Sequence, residues 1–204
     1  MLQEVWEANL AVVFVGTVVD EISDTLGFHH VHPRDRMWDL LEIGGITPKR
    51  LITKQERKAL ADGQKDGSLS DPVRSMFAEK KTSQFLKLGI GFAYLNRNVV
   101  VPGEKDKAAR PSAEDVHRFV ERAEQLRPGV LAFVTRVETF VEVFAGTHPG
   151  ASEALGAQAV RIANCETWLL GSTSGLLRGE ALTKQEDAFF ALGERLAALK
   201  GTPA

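Results

Sequence analysis

The segment Leu-Ala-Val-Val-Phe-Val-Gly at residues 10–16 restricts the fold more than any other stretch of the chain. It carries no charge, is rich in valine, and is closed by glycine. A half-buried strand would alternate polar and apolar residues, and an amphipathic helix would space them by three and four. An unbroken β-branched run of this length is instead a strand buried on both faces, as found inside a parallel sheet. Further strands are expected at residues 88–95, at 129–135 (Gly-Val-Leu-Ala-Phe-Val-Thr) and at 167–171 (Thr-Trp-Leu-Leu-Gly). Between them, apolar spacing of three and four predicts helices over 36–42, 112–125 and 182–199. Ser112, followed by Glu114 and Asp115, suits a helix N-terminus, and Pro128-Gly129 ends that helix. Residues 54–71 look like a polar, partly helical excursion. Strands alternating with helices predict an α/β fold, a three-layer α/β/α sandwich around a short, mainly parallel four-stranded sheet, in one domain over residues 1–204.

A hydrophobic share of 44% beside 25% charged residues excludes a disordered chain. The net charge of −2 argues against a protein that coats nucleic acid by bulk electrostatics, so any DNA contact must be local. No apolar run approaches the roughly 18 residues that span a bilayer, and no export signal is visible. Cys165 stands alone, so no internal disulfide calls for an oxidising compartment. A cytoplasmic monomer without membrane contact, metal or other cofactor is the expectation.

Open α/β sheets bind ligands beyond the carboxyl ends of their strands, which directs attention to the loop after Gly16. There the chain reads Gly-Thr-Val-Val-Asp-Glu at 16–21 and then GFHHVHPRDRMW at 27–38. Later come LGIGFAYLNRNVVVPGEKD at 88–106 and LLGSTSGLLR at 169–178. In this order the segments resemble the motifs of the uracil-DNA glycosylase superfamily, nearest its mismatch-specific uracil/thymine branch. That branch carries G-I-N-P-G followed by G-F-x-F-x-H-P-x-N-R-F-W, then G-I-G-F-T-N with a later P-G and charged stretch, and finally L-P-N-P-S-G-L-S-R.

The resemblance implies a DNA-repair enzyme that flips a uracil, or another deaminated base, out of DNA and hydrolyses its N-glycosidic bond. It places Gly16, Thr17, Val18, Phe28, His30 and Asn96 around the base, with His30 in place of a stacking aromatic residue. It puts Ser174, Gly175, Leu176 and Arg178 against DNA. Leu176 would fill the gap left in the duplex and Arg178 would meet a phosphate. The chain departs from the pattern where chemistry is done. The water-positioning asparagine falls on Val18, which cannot hydrogen-bond, and the last-loop asparagine falls on Ser172. Asp20 and Ser172 are the candidate catalytic replacements. Asp20 would orient water or stabilise sugar charge, or else it is a solvated or helix-capping aspartate. Asp35 stands where the family has asparagine. It could do similar work, pair with Arg34 or Arg36, or cap the following helix. Asn96 could read a base edge or sit in a turn.

His29, His30 and His32 invite a metal reading, but adjacent side chains in an extended segment face opposite ways, and the motif already accounts for His32. Cys165, Trp38, Trp168 and Phe189-Phe190 read as core residues. Two rival functions remain open: a member of the superfamily that only binds damaged or abasic DNA, and a nucleotide enzyme on the same fold. The second lacks a phosphate-cradling glycine-rich loop.

Overall fold

The computed structural model describes residues 2–101 and 110–201, side chains of the last two excepted. The apolar run at residues 10–16 falls in strand β1 (Val12–Asp20), at the interior of the sheet. Its neighbours are β2 (Ile90–Val101) and β3 (Val130–Phe133), both parallel to it. Beyond β3 lies β5 (Cys165–Leu169), also parallel, and then β4 (Gly156–Ile162), antiparallel to β5. The order is β2-β1-β3-β5-β4, so the sheet has five strands, one more than expected. The extra strand escaped notice because it is an edge strand. It is half exposed, with only Val160 and Ile162 buried, and a two-residue turn at Ala163 and Asn164 joins it to β5, both residues at positive φ (52° and 61°). That backbone suits a tight hairpin turn, but Ala-Asn is not the Asn-Gly signal that announces one.

Alternation along β1 divides the interior in two. Val12 and Phe14 pack into one apolar layer, with α1 (Glu21–Leu26), α2 (Met37–Ile43), α4 (Asp71–Lys87) and α7 (Gly179–Gly201) contributing Leu26, Trp38, Phe85 and Phe189. Val13 and Val15 face the other layer, filled by Phe119 of α5 (Ala113–Leu126) and by Phe140 and Phe144 of α6 (Val137–Phe144). Helices therefore cover both faces, the three-layer arrangement that a strand apolar on both sides demands.

The polar excursion folds as α3 (Lys54–Asp66), opened by a capping box between Thr53 and Glu56 and closed by Gly67 at positive φ, with α4 starting after Ser70. Ser112 caps α5 through a capping box with Asp115. Trp38, Trp168 and Phe189 are buried as expected, but Phe190 is 54% exposed, turned outward by the helical step that buries its neighbour. Buried Cys165 packs in the second layer, and burial pushes its thiol pKa up. Among the described residues, no helix is long and apolar enough to cross a membrane.

Candidate functional site

Where sequence suggested a loop after Gly16, β1 continues as a strand. It stays paired to β2, with Val18 opposite Asn96 and Asp20 opposite Val101, and a register shift lies between Val18 and Val19. Its pairing with β3 ends at Val15, so the β1–β2 ribbon runs on past its neighbour. One edge of residues 16–20 is thereby left open above β3, and a cleft of about 110 Å³ forms there.

Gly16, Thr17, Val18 and Asp20 form one wall of this cleft, and Ser172, Thr173, Ser174 and Gly175 from the loop after β5 form the opposite one. His30, His32, Arg34 and Asp35, from the segment between α1 and α2, close a third side. The three segments are tied together. Arg36 N–H donates to the Thr173 carbonyl at 2.9 Å, and a Cβ on Gly175 would come within 2.5 Å of the Arg34 carbonyl oxygen. Glycine there lets the last loop lie directly on the backbone of the histidine segment. Fully buried Gln185 of α7 holds the same loop from beneath, its Nε2 donating to the carbonyls of Leu170 (3.1 Å) and Ser172 (2.8 Å).

His30 sits at positive φ (54°), and its Nδ1 donates to Asp35 Oδ2 at 2.9 Å. The other Asp35 oxygen accepts from Met37 N–H at 2.7 Å, at the start of α2. The helix-capping alternative for Asp35 therefore holds, but its ionic partner is His30 and not Arg34 or Arg36. Burial acts to lower the His30 pKa. The charge and hydrogen bond of Asp35, with the charge of Asp20, outweigh burial and an opposing Arg57, and hold it above the ordinary histidine value. With Nδ1 committed to a carboxylate, Nε2 has no hydrogen-bond partner among the described residues and is the nitrogen left for a ligand.

Asp20 caps α1, accepting from Ser23 N–H at 2.9 Å through Oδ1, and also lines the cleft. The Thr17 and Thr135 hydroxyls are hydrogen-bonded across the cleft floor. Leu176, next to the rim residue Gly175, is 60% exposed. Arg178 folds back on its own turn, donating to the carbonyls of Gly175 (2.5 Å) and Leu177 (2.7 Å), and so braces the loop that presents this leucine.

Two expected base-pocket residues lie elsewhere. Phe28 is a core residue, 1% exposed, stacked on Trp38 at 6.0 Å, edge-to-face with Phe77 at 5.5 Å and tilted against Phe85 at 5.4 Å. Asn96 is buried within β2 and does not line the cleft, nor is it in a turn. The Pro-Gly and charged stretch of the third motif, 102–106, lies outside the described residues.

No protein-family model matches this chain.

Tyr94 and Thr135 also line the cleft and were not singled out by sequence. Tyr94 lies flat beside Gly16, where an added Cβ would come within 2.9 Å of its ring, so glycine is what admits the tyrosine. Behind it stands His29, 1% exposed and stacked between Phe92 (5.0 Å) and Tyr94 (5.6 Å). The three histidines thus have separate partners, since His32 Nδ1 accepts from Arg34 N–H at 3.2 Å. Among the described residues, no group of three or more His, Cys, Asp or Glu side chains could hold a metal ion.

Burial, reinforced by the nearby charge of His30, holds the His29 pKa down at about 3 against the raising effect of the Gln3 carbonyl. The folded protein keeps this ring neutral while the unfolded chain protonates it below about pH 6.5. Stability is therefore expected to fall as pH drops from about 6.5 toward 3, by on the order of 3–5 kcal/mol in the limit. Urea midpoints measured across this range should drop more steeply for the wild type than for His29→Gln, and parallel curves would contradict the assignment.

Proposed function

We propose that this chain is a monofunctional DNA glycosylase that, as a monomer, removes uracil and related deaminated bases from DNA by hydrolysis. The observation that carries the reading is the meeting of three segments at one cleft. The end of β1 and the loop after β5 face each other across it, the His30–Asp35 pair lies between them, and an exposed leucine directly follows the lining residue Gly175.

Departure of the base breaks the bond between N1 and the sugar C1′. The electron pair goes to uracil, and positive charge develops on the sugar. A donor near the base oxygens and a carboxylate near the sugar both favour that state over the ground state. Protonated His30 supplies the donor through Nε2–H while Asp35 compensates its charge. Asp20, with Oδ1 on the α1 cap, offers its other oxygen to the sugar or to the attacking water. Water oxygen bonds to C1′, its proton passes to a carboxylate and then to solvent, the departing uracil anion takes up a proton from solvent, and the products are free uracil and an abasic sugar. Leu176 fills the space vacated in the duplex, at the cost of a few kcal/mol for unstacking.

The test is release of free uracil from a uracil-containing duplex, read as alkali-labile abasic sites. The wild type is expected to give product under single-turnover conditions, with Asp20→Asn slower by about 10- to 100-fold. No release by stoichiometric protein over hours would sink the enzymatic reading. A second reading is favoured by Val18, an apolar side chain packed with Val99 and Val101 where the resembling family carries an amide. On that reading the protein recognises damaged or abasic DNA without turnover. Mobility shifts distinguish it, because equal affinity for abasic, uracil-containing and undamaged duplexes would exclude damage recognition.

A further inference from the structure

We propose that Tyr94, with its phenolic proton held by His29, is the hydrogen-bond acceptor through which the cleft selects a base presenting a ring N–H, as the imide edge of uracil does. The inference rests on the base-excision reading for its substrate class and adds a residue that decides which bases are accepted.

The direction of each hydrogen bond follows from chemistry alone. His29 Nε2 lies 3.0 Å from the Gln3 carbonyl oxygen, which can only accept, so Nε2 bears the proton. A neutral imidazole has one N–H, which leaves Nδ1 bare. Nδ1 lies 3.1 Å from the Tyr94 hydroxyl, so the hydroxyl must donate to it. Protonation of His29 would reverse this order, and burial of the ring opposes that. The single phenolic proton is therefore spent within the protein.

Tyr94 lines the cleft, so a ligand group that reaches its oxygen from there must bring its own hydrogen. His30 lines the same cleft with opposite polarity, since its Nδ1 is held by Asp35 and its remaining nitrogen, Nε2, is a donor when the ring is protonated. One acceptor and one donor in a fixed arrangement match an N–H beside a carbonyl. In cytosine the corresponding ring nitrogen is an acceptor, so the Tyr94 oxygen would meet a lone pair where uracil brings a hydrogen. A site built to pair with a polar group rejects the analogue lacking it far more strongly than an apolar pocket could, because its own buried groups are left unpaired.

Binding is measured by fluorescence anisotropy on duplexes carrying a non-hydrolysable fluorinated deoxyuridine, its N3-methylated counterpart, the matching deoxycytidine, or an abasic analogue. The wild type is expected to favour the deoxyuridine duplex at least tenfold over the methylated and cytosine duplexes. Tyr94→Phe, which keeps the ring beside Gly16, is expected to bring these three within threefold of one another while leaving abasic affinity unchanged. His29→Leu, which frees the phenolic proton, should also erode the preference although the tyrosine remains. Tyr94→Phe binding the duplexes with wild-type preference would overturn the proposal, as would an equal loss on all four. Absence of preference in the wild type would overturn it too. Uracil release, assayed separately on a cleavable duplex, reports on the glycosylase reading, so failure of catalysis and failure of this selection rule are distinguishable.

Discussion

Replacing His30 by leucine is expected to slow single-turnover uracil release by about 10²- to 10³-fold, the usual cost of removing one preorganised donor to a developing anion. Leucine keeps much of the volume and removes both ring nitrogens. The pH profile carries the mechanism. His30 works in its protonated form, and Asp35 and Asp20 hold its pKa above the ordinary value despite burial and Arg57. Activity should therefore fall as pH rises through a His30 pKa held above the ordinary histidine value. The same linkage makes the pair a stabilising contact that is complete below about pH 6.5 and lost above the folded-state pKa. Asp35→Asn preserves an acceptor for Met37 N–H but removes the negative charge, so the falling limb should move to lower pH and the rate at neutral pH should drop. A rate that rises through this range would mean that His30 acts as a base on water, contrary to the role assigned here. An unshifted limb in Asp35→Asn would remove the pair from the chemistry.

Gly193→Ala is expected to destabilise the fold by about 3 kcal/mol, at the upper end of overpacking costs, lowering the melting temperature by roughly 10 °C for a chain of this size. A Cβ at Gly193 of α7 would land on the carbonyl oxygen of Gly44, at the end of α2, and one at Gly44 would come within 2.5 Å of the Phe189 carbonyl oxygen. The obstacle on each side is backbone, which cannot rotate away as a side chain can. Relief requires α2 and α7 to separate, pulling Trp38 and Phe189 out of register in the first apolar layer. Because Asp35 and His30 lie at the N-terminal end of α2, part of the damage should reach the cleft. Gly146→Ala is the control, since nothing lies within 4 Å of the added carbon, and a change within about 0.5 kcal/mol is expected. Thermal melts of the two variants decide the matter, and a Gly193→Ala melt within 2 °C or so of the wild type would contradict this packing.

The parallel sheet was legible because burial on both faces leaves an unbroken apolar signature, and β1 and β3 show it. The edge strand β4 was not, since exposure on one side and a turn without glycine erase both signals. The continuation of β1 to Asp20 was missed for a different reason. It is stabilised by pairing with residues 96–101, and no local property of Thr-Val-Val-Asp reports a partner some eighty positions away. At the site, motif order brought Gly16 to Asp20 and Ser172 to Gly175 to one cleft, and His30 with them. The aromatic Phe28 looked equally suited to a base, but in the folded chain it joins Trp38 and Phe85 in the interior. Tyr94 and its partner His29 were invisible as a unit because their contact spans 65 residues of sequence, and only Gly16 offers the space in which the tyrosine ring can lie.

A crystal structure of the protein with a duplex carrying the non-hydrolysable deoxyuridine examines the central claim most directly. The nucleotide is expected to be extruded, its base between Thr17 and Ser174 with a carbonyl oxygen on His30 Nε2, and Leu176 inserted in the duplex at the vacated position. A base still stacked in the helix, or one bound away from this cleft with Leu176 free in solvent, would contradict it.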